Sequence, residues 1–483
     1  MHYSGHSTLF SIAFMFAFTS LNAQIEHSAF TATGSGAATT FVTDYQSLGI
    51  NPANLAWEPA YEGRTIAIGF VEGSYSLHSQ ALTRQVLRRE FTSGNDFTWE
   101  DKRSAAREFA DAGLQLNADV MLFGAAFTSE TLGGFGFQVH DRAQWSSRFN
   151  PFASELIFEG FGSDYFDLLV LASGDTIPNI EGMSDDSLAM VAIGLASDPQ
   201  LLSNLFDGTH VSFNWYREYN LSYGRALVRN EGLQLFAGVG LKHLVGIGII
   251  DIRAKDGEFD AFSSLSHDFD IDRGDGISRR TGSTTLPKAV GRGWGVDIGL
   301  SAIISDRYKL GASITNLGSI NWSGDSYSAT NGLLEAIQSN GLDSYNFFSG
   351  IDEFVSSSGL LEWKPDVSRR IPLPTNFRFG AGMIVNEKIE VGADLVAPLN
   401  DEPGNFESAV FGLGGHVLPL PWVRLSAGLS FGGGYGTKVP MGITFIAGRG
   451  TWEAGVASRD AFTFFVAEEP TLSLALGFLR FRF

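Results

Sequence analysis

The densest group of side chains that could bind an ion is an acidic run in the second half of the chain. Asp268, Asp270 and Asp272 have the spacing of the first three carboxylates of a calcium loop. The sixth position of that loop should be glycine and is Arg273, and the twelfth should be glutamate and is Arg279. The run therefore predicts a solvated loop, and the three aspartates are only weak candidate metal ligands.

Motifs for catalysis or cofactor binding are incomplete elsewhere. The glycine runs 291–295 and 432–436 lack the lysine and the strand–loop–helix setting of phosphate-binding loops. The histidines are scattered without metal-ligand spacing, and no Gly-x-Ser-x-Gly elbow occurs. The absence of cysteine excludes disulfides and thiolate chemistry. We predict a protein that is not an enzyme and binds no cofactor, with a spatial Ser–His pair as the one route to catalysis left open.

The composition limits the class of partner and of fold. With 53 acidic and 33 basic side chains the formal charge is −20, which disfavours a nucleic-acid partner. The chain has 57 glycines and 40 phenylalanines, a combination more typical of membrane β-structure than of a soluble enzyme.

The N-terminus has the features of a secretory signal. Residues 9–18 form an apolar core that is too short to span a membrane as a helix, and Ala23 ends a plausible cleavage site, although no Lys or Arg precedes the core. We expect a signal peptide at 1–23 and a mature chain from Gln24. No later run is apolar enough for a membrane helix, so the sequence predicts a periplasmic, secreted or outer-membrane protein.

Alternation of apolar and polar residues favours the outer membrane. Trp294, Ile298, Leu310 and Leu425 alternate with small or charged residues over about ten positions, and similar segments recur along the chain. Counting them predicts an all-β transmembrane antiparallel barrel of about fourteen strands. The apolar face should contact lipid, and the opposite face gives three lumen-facing candidates: Asp297, Lys309 and Arg424.

The C-terminus alternates too, and it ends on an aromatic residue. Outer-membrane barrels commonly end this way, so Phe481 and Phe483 are predicted as a signal for the barrel-assembly machinery. Further upstream, the leucines of residues 472–476 lie at even-numbered positions, whereas Phe481 and Phe483 lie at odd-numbered ones. Either a bulge near Gly477 shifts the register, or the lumen is apolar at this strand.

Three segments are too long for simple turns: 77–113, 147–207 and 323–371. Thr98 begins a capping-box pattern, Ser349 begins a second, and residues 331–341 form a third short helix candidate. Long connections of such barrels lie outside the cell. We therefore expect short helices in long extracellular loops.

The segment before the first strand is rich in small residues and is centred on Asn51, Pro52 and Ala53. Its composition predicts an irregular segment without a helix. The order of small-residue leader, Asn-Pro-Ala and amphipathic strands resembles the FadL-type superfamily of long-chain fatty-acid transporters. The resemblance implies that residues 24–63 are a hatch inside a barrel formed by 64–483, and that Asn51, Pro52 and Ala53 act in gating.

The middle strands carry a second resemblance, to an uncharacterised FadL-like family of Gram-negative outer membranes. It rests on the segments 293–299, 310–322 and 374–378 and on the glycines of 432–436. These glycines and aromatics are structural, so they indicate the fold more than the cargo.

Together these observations predict an outer-membrane protein that binds or passes small hydrophobic molecules and contacts outer-membrane lipid. Two alternatives stay open. One is a non-transporting accessory or scaffold barrel, for example in protein secretion, and the other is a soluble secreted β-protein.

Overall fold

A computed structural model describes most of the chain. The predicted signal peptide, Asp272 and the helix start at Ser349 lie outside the described residues, which are 29–59, 61–79, 81–83, 97–180, 182–271, 287–345, 351–355, 361–402, 404–406, 408–433, 436–462 and 471–483.

Fourteen antiparallel strands form a closed barrel, which confirms the predicted all-β fold and strand number. Each strand pairs with the next along the chain, and the last strand pairs with the first. Closure leaves no unpaired strand edge. The strands are β1 Ile66–Ser79, β2 Gly113–Ser129, β3 Gly133–Arg148, β4 His210–Asn230, β5 Leu233–Lys255, β6 Gly291–Ile304, β7 Tyr308–Trp322, β8 Asn376–Asn386, β9 Ile389–Pro398, β10 Val410–Leu420, β11 Val423–Gly432, β12 Met441–Ala447, β13 Trp452–Ser458 and β14 Leu472–Arg482.

The two ends of the barrel differ. At one end the connections are two to four residues long, and both the start of β1 and the end of β14 lie there. At the other end all seven connections are longer. We call these the short-turn end and the long-loop end. The wall is also uneven, because β4 and β5 have 21 and 23 residues whereas β12 and β13 have 7 each.

A bulge in β14 resolves the change of parity in the last strand. Glu453 of β13 pairs with Arg480, but Gly455 pairs with Gly477, so β14 has one extra residue here. Gly477 and Arg480 consequently both point into the lumen, and the leucines of 472–476 have outward parity. The first of the two alternatives is therefore right, and β14 does not line the lumen with leucines.

The long connections pack together into what we call the loop module, formed by the described parts of 81–112, 149–209 and 323–375. It contains α1 (Trp99–Phe109) and α2 (Pro151–Glu159), and α1 begins with the predicted capping box between Thr98 and Asp101. No helix among the described residues is both long and apolar enough to cross a membrane. Shorter helical turns lie at Gly160–Gly162, Asp185–Leu188, Leu202–Leu205, His267–Phe269 and Ile351–Val355.

Two details of the long connections differ from the sequence prediction. Residues 331–341 are not helical, since Ala336–Ile337 is the edge strand of a four-stranded sheet with Val191–Leu195, Leu168–Leu171 and Thr176–Pro178. The connection between β5 and β6 is also long, because Glu258–Leu265 folds back along β5 and pairs with Ser326–Ala329. The other short strands are Trp363–Pro365, Arg369–Pro372 and Thr437–Lys438.

Toward the long-loop end, the long connections cover apolar side chains on the outer face of the wall. A row of directly paired residues crosses six strands, and members of it contact the loops: Trp145 packs on Phe354 at 5.6 Å and Phe213 on Phe269 at 5.7 Å between ring centroids. The loop module therefore packs against the outer face of the tall wall. The row is Leu472, Leu77, Leu116, Trp145, Phe213 and Ile250.

Nearer the short-turn end the outer wall is apolar and exposed. Trp294 and Ile298 are 59% and 50% exposed, and Leu310 and Leu425 are also exposed. Burying such a continuous band requires an apolar solvent around the barrel.

Candidate functional site: the hatch and the chamber above it

The leader enters the barrel at the short-turn end and occupies the lumen. We call residues 29–59 the hatch. It consists of single helical turns at Phe30–Thr33, Asp44–Ser47 and Pro52–Ala56, joined by irregular backbone. The sequence prediction that this segment forms no helix was wrong for these turns, which are four or five residues long. The reason is local, because the Asn51 side chain accepts a hydrogen bond from the Ala53 amide and Pro52 takes the first helical position.

Glycines of the wall make room for the hatch backbone. A Cβ atom on Gly412 would lie 1.8 Å from the Gly36 carbonyl oxygen, and one on Gly134 would lie 1.9 Å from the Leu55 carbonyl oxygen. A Cβ on Gly299 would lie 2.0 Å from Asn51 Oδ1. Only glycine permits this approach of backbone to backbone. The glycine content of the strands thus serves the fit between wall and hatch.

Side chains bond the hatch to strands all round the barrel. Asn51 Nδ2 donates to the Leu300 carbonyl oxygen at 3.0 Å, and Trp57 Nε1 donates to Ser301 Oγ at 2.9 Å, both on β6. Asp394 of β9 accepts two hatch amides, those of Ala38 and Thr39, at 2.6 and 2.8 Å. Further bonds run from Ser313 Oγ of β7 to the Ile50 carbonyl oxygen, from Gln138 Nε2 of β3 to the Tyr45 carbonyl oxygen, and from Gln46 Nε2 to Glu72 of β1.

The shortest ion pair of the hatch is with the last strand. Asp44 accepts from Arg480 Nη2 at 2.7 Å and from Arg482 Nε at 3.1 Å. The same two arginines contact the fully buried Glu453 of β13 at 2.9 and 3.0 Å. Charge-assisted bonds of this kind are about twice as strong as neutral ones. We call Asp44, Arg480, Arg482 and Glu453 the latch.

The three residues of the Asn-Pro-Ala motif lie buried in the lumen. Asn51 and Ala53 have no exposed surface, and Pro52 is buried against Gly238 of β5. Asn51 bonds to a strand carbonyl of the wall. Its role in gating stays a prediction.

The three lumen-facing candidates lie in separate ion pairs. Asp297 contacts Lys242 Nζ at 3.0 Å and accepts the Asn316 amide at 2.8 Å. Lys309 binds Glu390 at 2.6 Å beside the Trp57 ring of the hatch. Arg424 lies 3.6 Å from Glu453 of the latch. Their charges are therefore matched within the wall, and the structure does not bring them together into one site.

A longer chain of charges surrounds Asp297. Lys242 also lies 3.4 Å from Glu218, and Glu218 lies 3.6 Å from Arg142. Arg142 in turn lies 3.4 Å from Asp119, which pairs with His140 at 2.6 Å. Every member is buried, so each charge needs the opposite charge beside it. This network cross-links β2 to β6 from inside.

Above the hatch, toward the long-loop end, lies a polar chamber. Its wall includes a second row of directly paired residues, on the lumen face opposite the covered apolar row: Asn117, Gln144 and Asn214. Two adjoining cavities share Asn117, Gln144, Gly404 and Phe406, and their empty volumes are about 390 and 560 Å³, counting space that opens to solvent. Gly49 of the hatch lines the larger cavity, with Arg142, Tyr216, Asn376 and Arg378 on the wall.

Sequence reasoning missed the latch and the chamber for different reasons. The alternation of residues 479–483 already indicated that Arg480 and Arg482 share the face opposite the phenylalanines, and therefore the lumen. Nothing in the sequence indicated Asp44 as their partner. The chamber amides are spread over strands distant in sequence, so no local motif reports them.

The weak metal candidates do not form a site among the described residues. Asp268 accepts from Ser266 Oγ at 2.9 Å and from the Lys288 amide at 3.1 Å, and Asp270 has the left-handed backbone of a turn. No group of three or more potential ligands comes together in the described ranges.

The two phenylalanines predicted as an assembly signal lie in β14 and at its end. Phe481 has outward parity. Phe483 closes the seam, since its amide donates to the Ile66 carbonyl oxygen and its carbonyl oxygen accepts from the Ile66 amide.

Comparison with known proteins gives one family match. Residues 183–451 match the model of a family of unknown function, DUF5723. No curated protein matches the sequence.

Several solved barrels have a similar fold at low identity. The toluene transporter TodX of Pseudomonas putida is 12% identical, with 96% of this chain and 99% of that chain covered and a TM-score of 0.42. The toluene transporter TbuX of Ralstonia pickettii is 9% identical, with 94% and 98% covered and a TM-score of 0.44. A FadL homologue of Pseudomonas aeruginosa is 10% identical, with 95% and 97% covered and a TM-score of 0.42.

Proposed function

Because the chain belongs to the DUF5723 family of unknown function and has a FadL-like barrel with an internal hatch, we propose that it is an outer-membrane protein that binds or passes small hydrophobic molecules. The cargo class follows the FadL-type resemblance of the leader. The observation that carries the proposal is the hatch itself, a segment that fills the lumen and is held there by side-chain hydrogen bonds and an ion pair.

The outer surface supports a location in a lipid bilayer. The exposed apolar band ends at the adjacent rings of Tyr219, His243 and Trp294, whose successive centroids are 6.2 and 4.8 Å apart. Two residues farther toward the long-loop end, Arg217 and Asp141 form a two-bond ion pair at 2.6 Å. Aromatic rings and then charges are the order expected at a membrane interface. We infer that the loop module lies outside the cell and that the chain is exported through a cleaved signal peptide at 1–23.

The contacts of the hatch favour a gated lumen rather than an open channel. Its residues fill the section between β1, β3, β6, β7, β9 and β14, and the remaining chamber is separated from the short-turn end by the hatch. Among the described residues no ladder hydrogen bond joins the hatch to the wall, and the chain connects it only to the start of β1, so it can shift without breaking the barrel. A solute from the long-loop end would meet the chamber first and the hatch second.

One observation favours the alternative of an accessory or scaffold barrel. The loop module and the outer face of the tall wall share one hydrophobic core of forty buried residues. A large ordered surface of this kind suits a protein partner, and the filled lumen suits a barrel that transports nothing.

Uptake by proteoliposomes separates the two functions. In vesicles whose outer leaflet is lipopolysaccharide, which slows entry of apolar solutes, we expect the protein to speed uptake of toluene over protein-free vesicles, and a latch variant, Asp44→Asn, to speed it further. An outer-face variant of the same chemistry, Asp141→Asn, is the control and should match the wild type. If the wild type and the latch variant both equal empty vesicles, the transport function is wrong and the scaffold function is the better one.

A further inference from the structure

The chamber above the hatch contains buried polar atoms that no protein group satisfies. Among the described residues, Gln144 Oε1, Asn214 Oδ1 and Asn376 Oδ1 have no hydrogen-bond partner. Asn214 and Asn376 are only 7% and 8% exposed. A buried acceptor without a donor costs about 1–3 kcal/mol, so native proteins rarely keep several together without a purpose.

The three amides line two adjoining cavities. Gln144 and Asn214 are paired neighbours on β3 and β4, and they line the cavity on the long-loop side. Asn376 begins β8, across the lumen, and lines the larger cavity on the hatch side. Gln144 lines both, so the two cavities adjoin at its side chain.

Apolar surface lies beside these amides. The ring of Phe406 borders both cavities, and Tyr216 and Pro374 border the larger one. Tyr216 belongs to a lumen cluster with Leu244, Trp322 and Leu373. The chamber thus combines flat apolar walls with unsatisfied acceptors.

We propose that this chamber selects small hydrophobic molecules that carry a hydroxyl group, and that it discriminates against hydrocarbons and ethers of the same size. The proposal rests on the proposed function, since it names the class of cargo for the same lumen. A hydroxyl donates to an amide oxygen and also accepts from an amide nitrogen, so it satisfies these side chains in either amide orientation. The apolar body of the molecule then packs on the ring of Phe406.

Access to the chamber depends on the connection between β9 and β10. A Cβ atom on Gly404 would lie 2.1 Å from Gln144 Oε1, so this connection packs directly on one of the unsatisfied amides. Gly404 has a φ of +83°, which only glycine adopts at low cost.

Phenol and anisole test the proposal with one matched pair of ligands. Both have a benzene ring and an oxygen, but only phenol can donate a hydrogen bond. We expect the purified barrel, in equilibrium dialysis, to bind phenol about three- to tenfold more tightly than anisole, the range that one net hydrogen bond gives. A chamber that acts as an apolar site would give the reverse order, because anisole has more apolar surface. Equal or reversed affinities would overturn the proposal, as would absence of phenol binding, which would leave the chamber as a hydrated space.

Variants locate the preference. In Asn214→Leu and, separately, in Asn376→Leu, the ratio of phenol to anisole affinity should fall toward one. Asn386→Leu, at an amide near the short-turn end, should keep the wild-type ratio. Heat-modifiable gel mobility reports whether each barrel is folded, and the wild-type ratio tests the proposal even if one variant fails to fold. A wild-type ratio retained in both folded variants would place the selectivity elsewhere.

The same assays distinguish failure of this inference from failure of the proposed function. Phenol binding without uptake by proteoliposomes would leave the chamber as a selective site in a barrel that does not transport. Uptake that does not distinguish phenol from anisole, and that the two variants do not change, would leave transport intact and contradict the selectivity.

Discussion

Arg480 Nη2 lies 2.7 Å from Asp44 Oδ2, so the strand that closes the barrel also holds the hatch. Arg480 is almost fully buried and contacts Glu453 on its other side, and its guanidinium lies over the Tyr45 ring of the hatch at 5.5 Å. The bulge in β14 is what turns Arg480 and Arg482 inward. The same two side chains therefore bond the hatch to the strand whose backbone closes the barrel against β1.

Neutralising Asp44 should loosen the hatch. In Asp44→Asn the ion pairs with Arg480 and Arg482 become weaker bonds from a guanidinium to a neutral amide, while Glu453 still contacts both arginines. We expect the barrel to assemble normally and residues 29–59 to become more accessible to limited proteolysis from the short-turn end. Asp141→Asn, which breaks an outer ion pair, is the matched control. Identical cleavage of the hatch in both variants would show that the latch does not hold it.

A charge on the lipid face should destabilise the barrel. Ile298 is 50% exposed in the middle of the apolar band, and an arginine there costs about 2–4 kcal/mol at the bilayer midplane. Ile298→Arg should therefore lower folding yield into lipid vesicles. Leu333→Arg, at a residue 53% exposed in the loop module, should not. If both variants fold equally well, Ile298 does not face lipid.

The terminal phenylalanine should matter for assembly in two separable ways. Deleting Phe483 removes its two backbone hydrogen bonds to Ile66 at the seam as well as the aromatic ring. Phe483→Ala removes the ring alone. If the ring is the signal read by the barrel-assembly machinery, both variants should accumulate poorly in the outer membrane, and normal levels of both would contradict that role.

Stability of the loop module should fall as pH rises toward neutrality. Burial of Glu159 at the end of α2, with Glu155 nearby, raises the pKa of its carboxyl to about 7. Since the folded pKa is above the unfolded one, the stabilising contribution is complete below about pH 4.5 and is lost as pH rises to about 7. Glu159→Gln should flatten the pH dependence of proteolytic resistance in this range. The exposed Glu362→Gln should leave the wild-type slope, and an unchanged slope in Glu159→Gln would exclude Glu159 as its cause.

Much of the barrel could be predicted from sequence because facing is a local property. Period-two alternation predicted which side of a strand faces away from the lumen, and with it about fourteen strands and the inward parity of Asp297. The bulge at β14 needed the partner strand, because parity alone left it open beside an apolar lumen.

The partners inside the lumen could not be predicted, since they come from residues hundreds of positions apart. No local pattern indicates that Lys242 pairs with Asp297. None indicates that Asp394 accepts two hatch amides. The edge strand at Ala336–Ile337 was also missed, because its short apolar run fits a helix equally well until Val191–Leu195 is placed beside it.

The central claim is that the hatch closes the lumen, and single-channel conductance of a hatch deletion tests it most directly. Removing residues 24–60 while keeping the predicted signal peptide at 1–23 leaves all fourteen strands, and Arg480 and Arg482 keep Glu453 as a partner. The account predicts that the deletion assembles, shown by heat-modifiable mobility, and that its conductance in planar bilayers is far above that of the wild type. An assembled deletion that conducts no better than the wild type would contradict the claim, and would leave the loop module as the closure.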